Sequence, residues 1–435
     1  MIIKGLNEEK IKTISKIKQE TEEILNYRLK SYEIFKNTEM PNFGPKLNIN
    51  FDEISYYKTS DDNLTNNWEN IKTNVQEELT TLGVIESEKY LDGIGVQYQS
   101  EVIYHNMLKE LTKKNVIFTS IEDAFKKYPE LVKKYFSKIV KPEENKFTAL
   151  NSTCFSGGSF IYIPKNTKLD RPLQSYFRIN SENLGQFERT LIIVDDNSEL
   201  NYIEGCTARA YASSNLHAAV VEIYVGKGSR CRYSTIQNWA PNVYNLVTKR
   251  ALVEESGKME WIDGNIGSYK TMKYPCCILK GDNSEGVCIT ISTAKNNQHQ
   301  DSGAKMIHIG KNTKSSIISK SIASKGGQAD FRSKVEIKQS AQNSEALIKC
   351  DTLILDKESK SNTYPTNILK TNKSTIEHEA TVSKISEEKL FYLMSRGLSK
   401  EQAIDLIILG FTDKFKQELP MEYAIELNNL LKQNI

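Results

Sequence analysis

The stretch "GDNSEGVCITISTAKNNQHQDSGAKMIHIGKNTKS", residues 281–315, begins and ends on the same kind of small polar turn. Between its turns lie short segments rich in Ile, Val and Thr, and none has the length of a helix. The turn recurs on both sides of this stretch. Anchors at Asn166 in "PKNTKL", Asn197 in "DDNSEL", Gly228 in "GKGSR", Gly257 in "ESGKME", Asn283, Asn312 and Asn343 in "AQNSEA" follow one another at roughly 26 to 31 residues, a spacing that marks a repeat architecture. Two turns share Lys-Asn-Thr-Lys and three share Asn-Ser-Glu, so the beat is written in the words as well as in their spacing. A meandering sandwich turns about every 8–12 residues and has no longer beat. The repeating strand–turn–strand unit predicts a β-solenoid, a parallel β-helix of about six or seven coils, over residues 149–384.

Outside the repeat the texture changes. Residues 1–148 read as mainly helical. Asn7 is placed to cap a helix carrying Ile11, Ile14, Ile17, Ile24, Leu25 and Leu29 at helical spacing, and Ser120 is placed to cap "IEDAFKKYPELVKKYF". Residues 385–435 read as a second helical region. Gly397 ends one helix, "SKEQ" at 399–402 spells a capping box for the next, Gly410 is placed to end that one, and "LPMEYAIELNNLLKQNI" is expected to form a last helix.

Composition narrows the function classes. A net charge of +3 without a dominant basic block argues against nucleic acid and anionic membranes as partners. No apolar run approaches a membrane span, and the first residues lack a signal-peptide core. Seven cysteines without paired spacing read as reduced thiols, so a cytoplasmic location is expected. The abundance of Lys, Asn and Ile hints at an AT-rich genome, which leaves a plastid or apicoplast as the alternative compartment.

Two cysteines follow turns directly. Cys206 comes after the Asn197 turn and Cys350 after the Asn343 turn, about five coils apart, or about 24 Å at the strand spacing of a sheet. One metal ion or disulfide therefore cannot join them. About one coil beyond Cys350 comes the run Glu377-His378-Glu379. On an extended strand Glu377 and Glu379 point to one face and His378 to the other. All three could meet one thiolate only with a bend or a second chain. The plain alternatives are a small buried hydrophobe for each cysteine and a solvated turn for the acidic run. Cys154, Cys231, Cys276, Cys277 and Cys288 read as structural.

Longer blocks carry a resemblance. "CFSGGSFIYIPKNTKLDRPLQSYFRINSENLGQFERTLIIVDDNSELNYIEGCTA", "YSTIQNWAPNVYNLVTKRA", "HQDSGAKMIH", "KCDTLILDKESKSNTYP" and "EHEATVSKISEEKLFYLMSRGLS" resemble the SufB family of the SUF iron–sulfur cluster assembly system, in family order. The resemblance implies a right-handed parallel β-helix flanked by helical regions. It also implies a scaffold without enzymatic activity of its own, which carries a transient iron–sulfur cluster. The partners it implies are a SufC ATPase docked on the C-terminal helical region, SufD or a second copy of this chain, the cysteine desulfurase SufS with SufE or SufU, and cluster carrier proteins. Reduced FAD accompanies the complex in some members.

Carried over by position, Cys206 in "EGC" resembles the persulfide acceptor. Arg178 and Asn180 in "FRIN", Gln237 and Trp239 in "IQNW", and Lys249 in "TKR" resemble a sulfur path. Cys350 with Glu377, His378 and Glu379 resembles the metal-binding end of that path. The N-terminal cysteine cluster of some members has no counterpart here, because no cysteine precedes Cys154. A competing class is a β-helix enzyme acting on polysaccharide, with Glu377 and Glu379 as paired carboxylates. An ATPase is disfavoured, because "GDNSEG" is followed by Val287 and not by the lysine of a phosphate-binding loop.

Overall fold

The computed structural model describes residues 1–59, 64–208 and 214–417. The corners decide the architecture. Asn166, Asn197, Asn283, Asn312 and Asn343 adopt left-handed backbone angles, with φ between 54° and 59°. Asparagine tolerates that region because its short amide bonds locally. In the "ESGKME" corner the left-handed residue is Ser256, one position before the expected Gly257. The Ser or Thr after each asparagine explains the rest of the word. Backbone N–H groups of Thr167, Ser198, Thr313 and Ser344 donate to the hydroxyls of Ser198, Ser229, Ser344 and Ser374 at 3.0–3.2 Å. Four corners are thus fastened to the corner of the next coil.

Between corners the chain alternates between two parallel sheets, one of ten strands and one of twelve. The result is a parallel solenoid of about eight coils. The coil beyond the expected count is the last, Thr363–Leu369 and Thr375–Lys384, whose corner "KTNKS" departs from the two shared spellings. Inward-facing Tyr202, Tyr233, Trp261, Cys288, Ile317 and Ile348 stand in register from rung to rung and form the apolar half of the interior.

The N-terminal region mixes helices with strands. Gly93–Tyr98 and Glu101–Met107 form an antiparallel hairpin that extends one sheet, and Ile117–Ser120 extends the other. An open sheet end exposes unpaired backbone groups, and these strands cover it. Asn7 and Ser120 cap their helices as expected. The segment after Ser120 forms two helices, Ile121–Lys127 and Pro129–Tyr135, divided where proline interrupts the ladder. The Arg189–Glu222 pair, fully buried at 2.6 Å, ties this region down. Glu222 also accepts from the backbone of Ser137, Ile139 and Val140.

At the other end, Ser399 and Gln402 form the reciprocal cap read from "SKEQ". Helix Lys400–Lys416 runs through Gly410 and does not end there. Its Ile408 is buried against Ile322 and Leu353, with Ile404 and Phe411 alongside, and this packing outweighs the cost of a mid-helix glycine. The expected last helix lies outside the described residues. No helix among the described residues is long and apolar enough to cross a membrane.

Candidate functional site

Strand register brings the chemistry-bearing residues into lines. One inward line runs Ser175, Glu204, Thr235, Asp263, Thr290, Ser319, Cys350, one residue per rung. A second, two residues further along each strand, runs Phe177, Cys206, Gln237, Asn265, Ser292, Ser321, Thr352. All these residues except Cys206 and Phe177 and the terminal Cys350 are polar, and all are buried. Adjacent hydroxyls bond to each other, Thr290 to Ser319 at 2.9 Å and Ser292 to Ser321 at 3.0 Å. Five rungs separate the strand of Cys206 from that of Cys350, which at the sheet spacing is about 24 Å.

Cys206 is 1% exposed and packs among Phe177, Leu184, Trp239 and Val243. Burial pushes its thiol well above the ordinary range, and Glu204 and Glu188 add to this, while Lys249 and Lys273 act in the opposite sense. Gln237 is its neighbour on the next rung. From Gln237 a buried chain crosses to the other sheet. Asn245 Nδ2 donates to Gln237 Oε1 at 2.8 Å, His217 Nδ1 lies 2.8 Å from Asn245 Oδ1, and His217 Nε2 lies 3.0 Å from Glu188. Trp239 packs against His217 in a tilted arrangement, with ring centroids 4.6 Å apart and the planes at 42°. Lys249 enters from the opposite sheet and lies 3.6 Å from Glu204 and 3.5 Å from Asp263, with the Tyr233 ring 4.4 Å away.

The five residues of the expected path therefore divide. Gln237, Trp239 and Lys249 share the interior with Cys206. Arg178 and Asn180 do not. Arg178 is in register with Thr207, one residue beyond Cys206 and on the other face of the sheet. It donates to Thr207 Oγ1 at 3.0 Å and pairs with Glu78, which also accepts from Asn180 at 3.2 Å. The cations that favour the Cys206 thiolate are Lys249 and Lys273, and they act against Glu204 and Glu188.

Glu204, Asp263, Lys273, Asn245 and Glu188 were not among the candidates read from the sequence. The first two carried a signal: with the repeat known, each lies one or two coils from another polar inward position.

At the far end Cys350 is 3% exposed. Burial raises its thiol, partly offset by a hydrogen bond with Thr363. The next rung is strand Thr375–Lys384, where Ala380 faces Cys350 in register, His378 faces Ile348, Glu377 faces Leu347 and Glu379 faces Lys349. His378 thus lies on the Cys350 side, and its Nε2 is buried without a hydrogen-bond partner. Burial lowers its pKa. Glu377 and Glu379 point the other way, and Glu379 pairs with Lys349 at 2.9 Å. The run splits over two faces, as extended backbone requires. Among the described residues no three His, Cys, Asp or Glu side chains converge closely enough to hold a metal ion. Both strands of this coil are edge strands, with Tyr364, Leu369 and Val382 exposed.

The remaining cysteines, Cys154, Cys231, Cys276, Cys277 and Cys288, are buried and unbridged. Cys276 lies in register with Arg250 and Lys305, while Cys277 joins the apolar interior, so the adjacent pair splits between faces.

Comparison with known proteins covers nearly the whole chain. Residues 8–175 match a family described as the SufBD protein N-terminal region, and residues 177–411 match the SufBD core domain of SUF system FeS cluster assembly. The chain is 51% identical to the iron–sulfur cluster assembly protein SufB of Bacillus subtilis, over 99% of this chain and 93% of that one. It is 53% identical to an iron–sulfur cluster assembly SufBD family protein of Staphylococcus saprophyticus and 52% identical to one of Staphylococcus aureus, with the same coverage.

Proposed function

We propose, from the premise that the chain belongs to the SufBD family of iron–sulfur cluster assembly proteins, that it is the scaffold on which a nascent cluster forms. Cys206 accepts sulfur as a persulfide from the desulfurase SufS working with SufE or SufU. The sulfur passes along the polar interior, through the surroundings of Gln237, Trp239 and Lys249, to Cys350. Arg178 and Asn180 act on this route from behind the sheet, by fixing the strand end next to Cys206. The cluster forms at the last coil with Cys350 as thiolate and Glu377, His378 and Glu379 as nitrogen and oxygen ligands, and then passes to carrier proteins in the cytoplasm.

The observation that supports this reading best is the in-register line of buried polar residues joining the rung of Cys206 to Cys350. An interior of this length without function would be expected to be apolar, since each buried polar group must find a partner. A facing subunit, SufD or a second copy, completes the ligand set. The support for this is the splitting of the acidic run over two faces and the exposed edge strands beside it. A mixed thiolate, imidazole and carboxylate set suits a cluster that must leave, because stable clusters are usually held by four thiolates. ATP hydrolysis belongs to SufC, docked on the C-terminal helices. Reduced FAD, expected in the complex of some relatives, is assigned no residues of this chain.

Anaerobic reconstitution on the assembled complex tests the reading, with sulfur supplied by the desulfurase and with bound iron, sulfide and visible absorption as readouts. Cys350→Ala is expected to lose the cluster, and Cys206→Ala to lose only desulfurase-dependent loading. Full loading in both variants would put the cluster elsewhere.

A further inference from the structure

A second concave feature lies away from the solenoid interior, wholly within the N-terminal region. Helix Glu22–Asn37, helix Pro129–Tyr135 and the loop 136–143 line a cavity of about 470 Å³. That volume is in the range of small-molecule sites. Tyr27, Phe125 and Phe136 supply its aromatic wall, with Phe136 edge-on to Tyr27 and to Phe125 at centroid distances of 5.4 and 5.0 Å, and Ile34 adds aliphatic surface. All four side chains are only half-buried, so apolar surface is left open to the cavity.

The loop of this cavity is held in a costly shape. Ser137 takes a left-handed backbone angle, φ 57°, which a serine adopts only when its surroundings enforce it. Here they do: the buried Glu222 accepts from the Ser137 N–H at 2.9 Å, and Tyr27 Oη donates to Ser137 Oγ at 2.9 Å. The next residues, Lys138 and Lys141, are thereby kept at the cavity, and Lys30 joins them from the facing helix. Among the described residues Lys133 pairs with Glu23 at 2.8 Å, while Lys30, Lys138 and Lys141 have no ion pair. Four lysines against Glu23 and Glu143 leave the lining with an excess of two positive charges.

We propose that this cavity binds a small amphipathic anion, with an apolar body against Tyr27, Phe125 and Phe136 and a single anionic group among Lys30, Lys138 and Lys141. The rings account for the body, since apolar area removed from water is the main source of affinity in such sites. Charge selects the head group. A neutral ligand gains nothing from three solvated ammonium groups, a cation is repelled by them, and an anion is attracted. The concave form and the volume favour a small molecule over a partner's helix, which requires an open groove. None of these residues belongs to the two polar lines of the solenoid, so the proposal stands apart from the scaffold reading.

The test titrates the full chain with decanoate and with decyl phosphate by calorimetry, with decanol as the neutral control. Saturable binding of either anion at one site per chain is expected, and the tighter of the two names the head group. In the double variant Lys138→Glu, Lys141→Glu, both of whose positions are exposed, anion affinity is expected to fall by roughly tenfold or more, while decanol binding stays as in the parent. Crystals of the parent chain soaked in 10-bromodecanoate fix the place: an anomalous bromine peak against Tyr27, Phe125 and Phe136 supports the site. A bromine bound elsewhere overturns it, as does an anion affinity that the double variant leaves unchanged. If neither anion binds saturably the proposal also fails, and binding of an acidic amphipathic peptide in their place would assign the face to a partner's helix.

Discussion

Cys206 and Cys350 stand on the same sheet, five rungs apart, in environments built to opposite ends. Around Cys206 the solenoid is closed on all sides, and the charges within it are paired across the interior. Around Cys350 it opens, because the following rung is the last, and its side chains are largely exposed. The repeat is the same, so the difference comes from position in the stack. A middle coil must satisfy its polar groups from within, whereas an end coil can leave them to a partner.

The contrast is broken most severely by removing a charge from the closed part. Arg189→Met leaves Glu222 buried without its cation and is expected to cost about 3–5 kcal/mol in chemical denaturation. A much smaller loss would mean that the backbone donors of Ser137, Ile139 and Val140 alone suffice for that carboxylate.

Acid sharpens the same contrast. His308 is fully enclosed, bonded to Thr313 and Ser315 at 2.8 Å, and burial lowers its pKa from 6.5 to about 4. Between those values the unfolded chain takes up a proton that the folded chain refuses. Stability therefore falls as pH drops from about 6.5 toward 4, with a slope approaching about 1.4 kcal/mol per pH unit. His308→Asn is expected to flatten that slope in urea titrations at several pH values. His378→Asn, at the open end, is expected to change it far less.

At the open coil the expected losses are of association. Val382→Lys places a charge on an exposed apolar position of the edge strand. It is expected to weaken subunit pairing by roughly tenfold or more, as for an interface residue worth over 1 kcal/mol, and to leave the melting temperature of the single chain unchanged. Analytical ultracentrifugation and calorimetry together separate the two effects. The smallest change is expected for Lys349→Ala, which removes the exposed partner of Glu379. Surface pairs of this kind contribute little, and no measurable shift in melting temperature is expected.

The same division governs what could be read from the sequence. The corner words were legible because their chemistry is local: an asparagine takes the left-handed angle and the next hydroxyl fastens the neighbouring coil. The opposite facing of His378 and its two glutamates was legible because a strand alternates. The count of five rungs between the cysteines held because it depends only on the period. The pairing of Lys249 and Lys273 with Asp263 was not legible, since it arises across the interior between strands of different sheets. Nor was the side of the sheet taken by Arg178 and Asn180, which a shift of one residue decides. The hairpin Gly93–Tyr98 and Glu101–Met107 was hidden by its glycines and by its place outside the repeat. The eighth coil was hidden by its variant corner.

The stacking of whole coils has a consequence for how such a chain can vary. The distance between the two thiols is an integer. It grows or shrinks only by a complete turn, about 4.8 Å at a time. Insertion of a single residue before Cys350 would rotate the thiol out of the interior altogether. A lineage that lengthened this molecule between Cys206 and Cys350 would have to do so by duplication of roughly 26 to 31 residues, and the spacing of its corner words would record how many times.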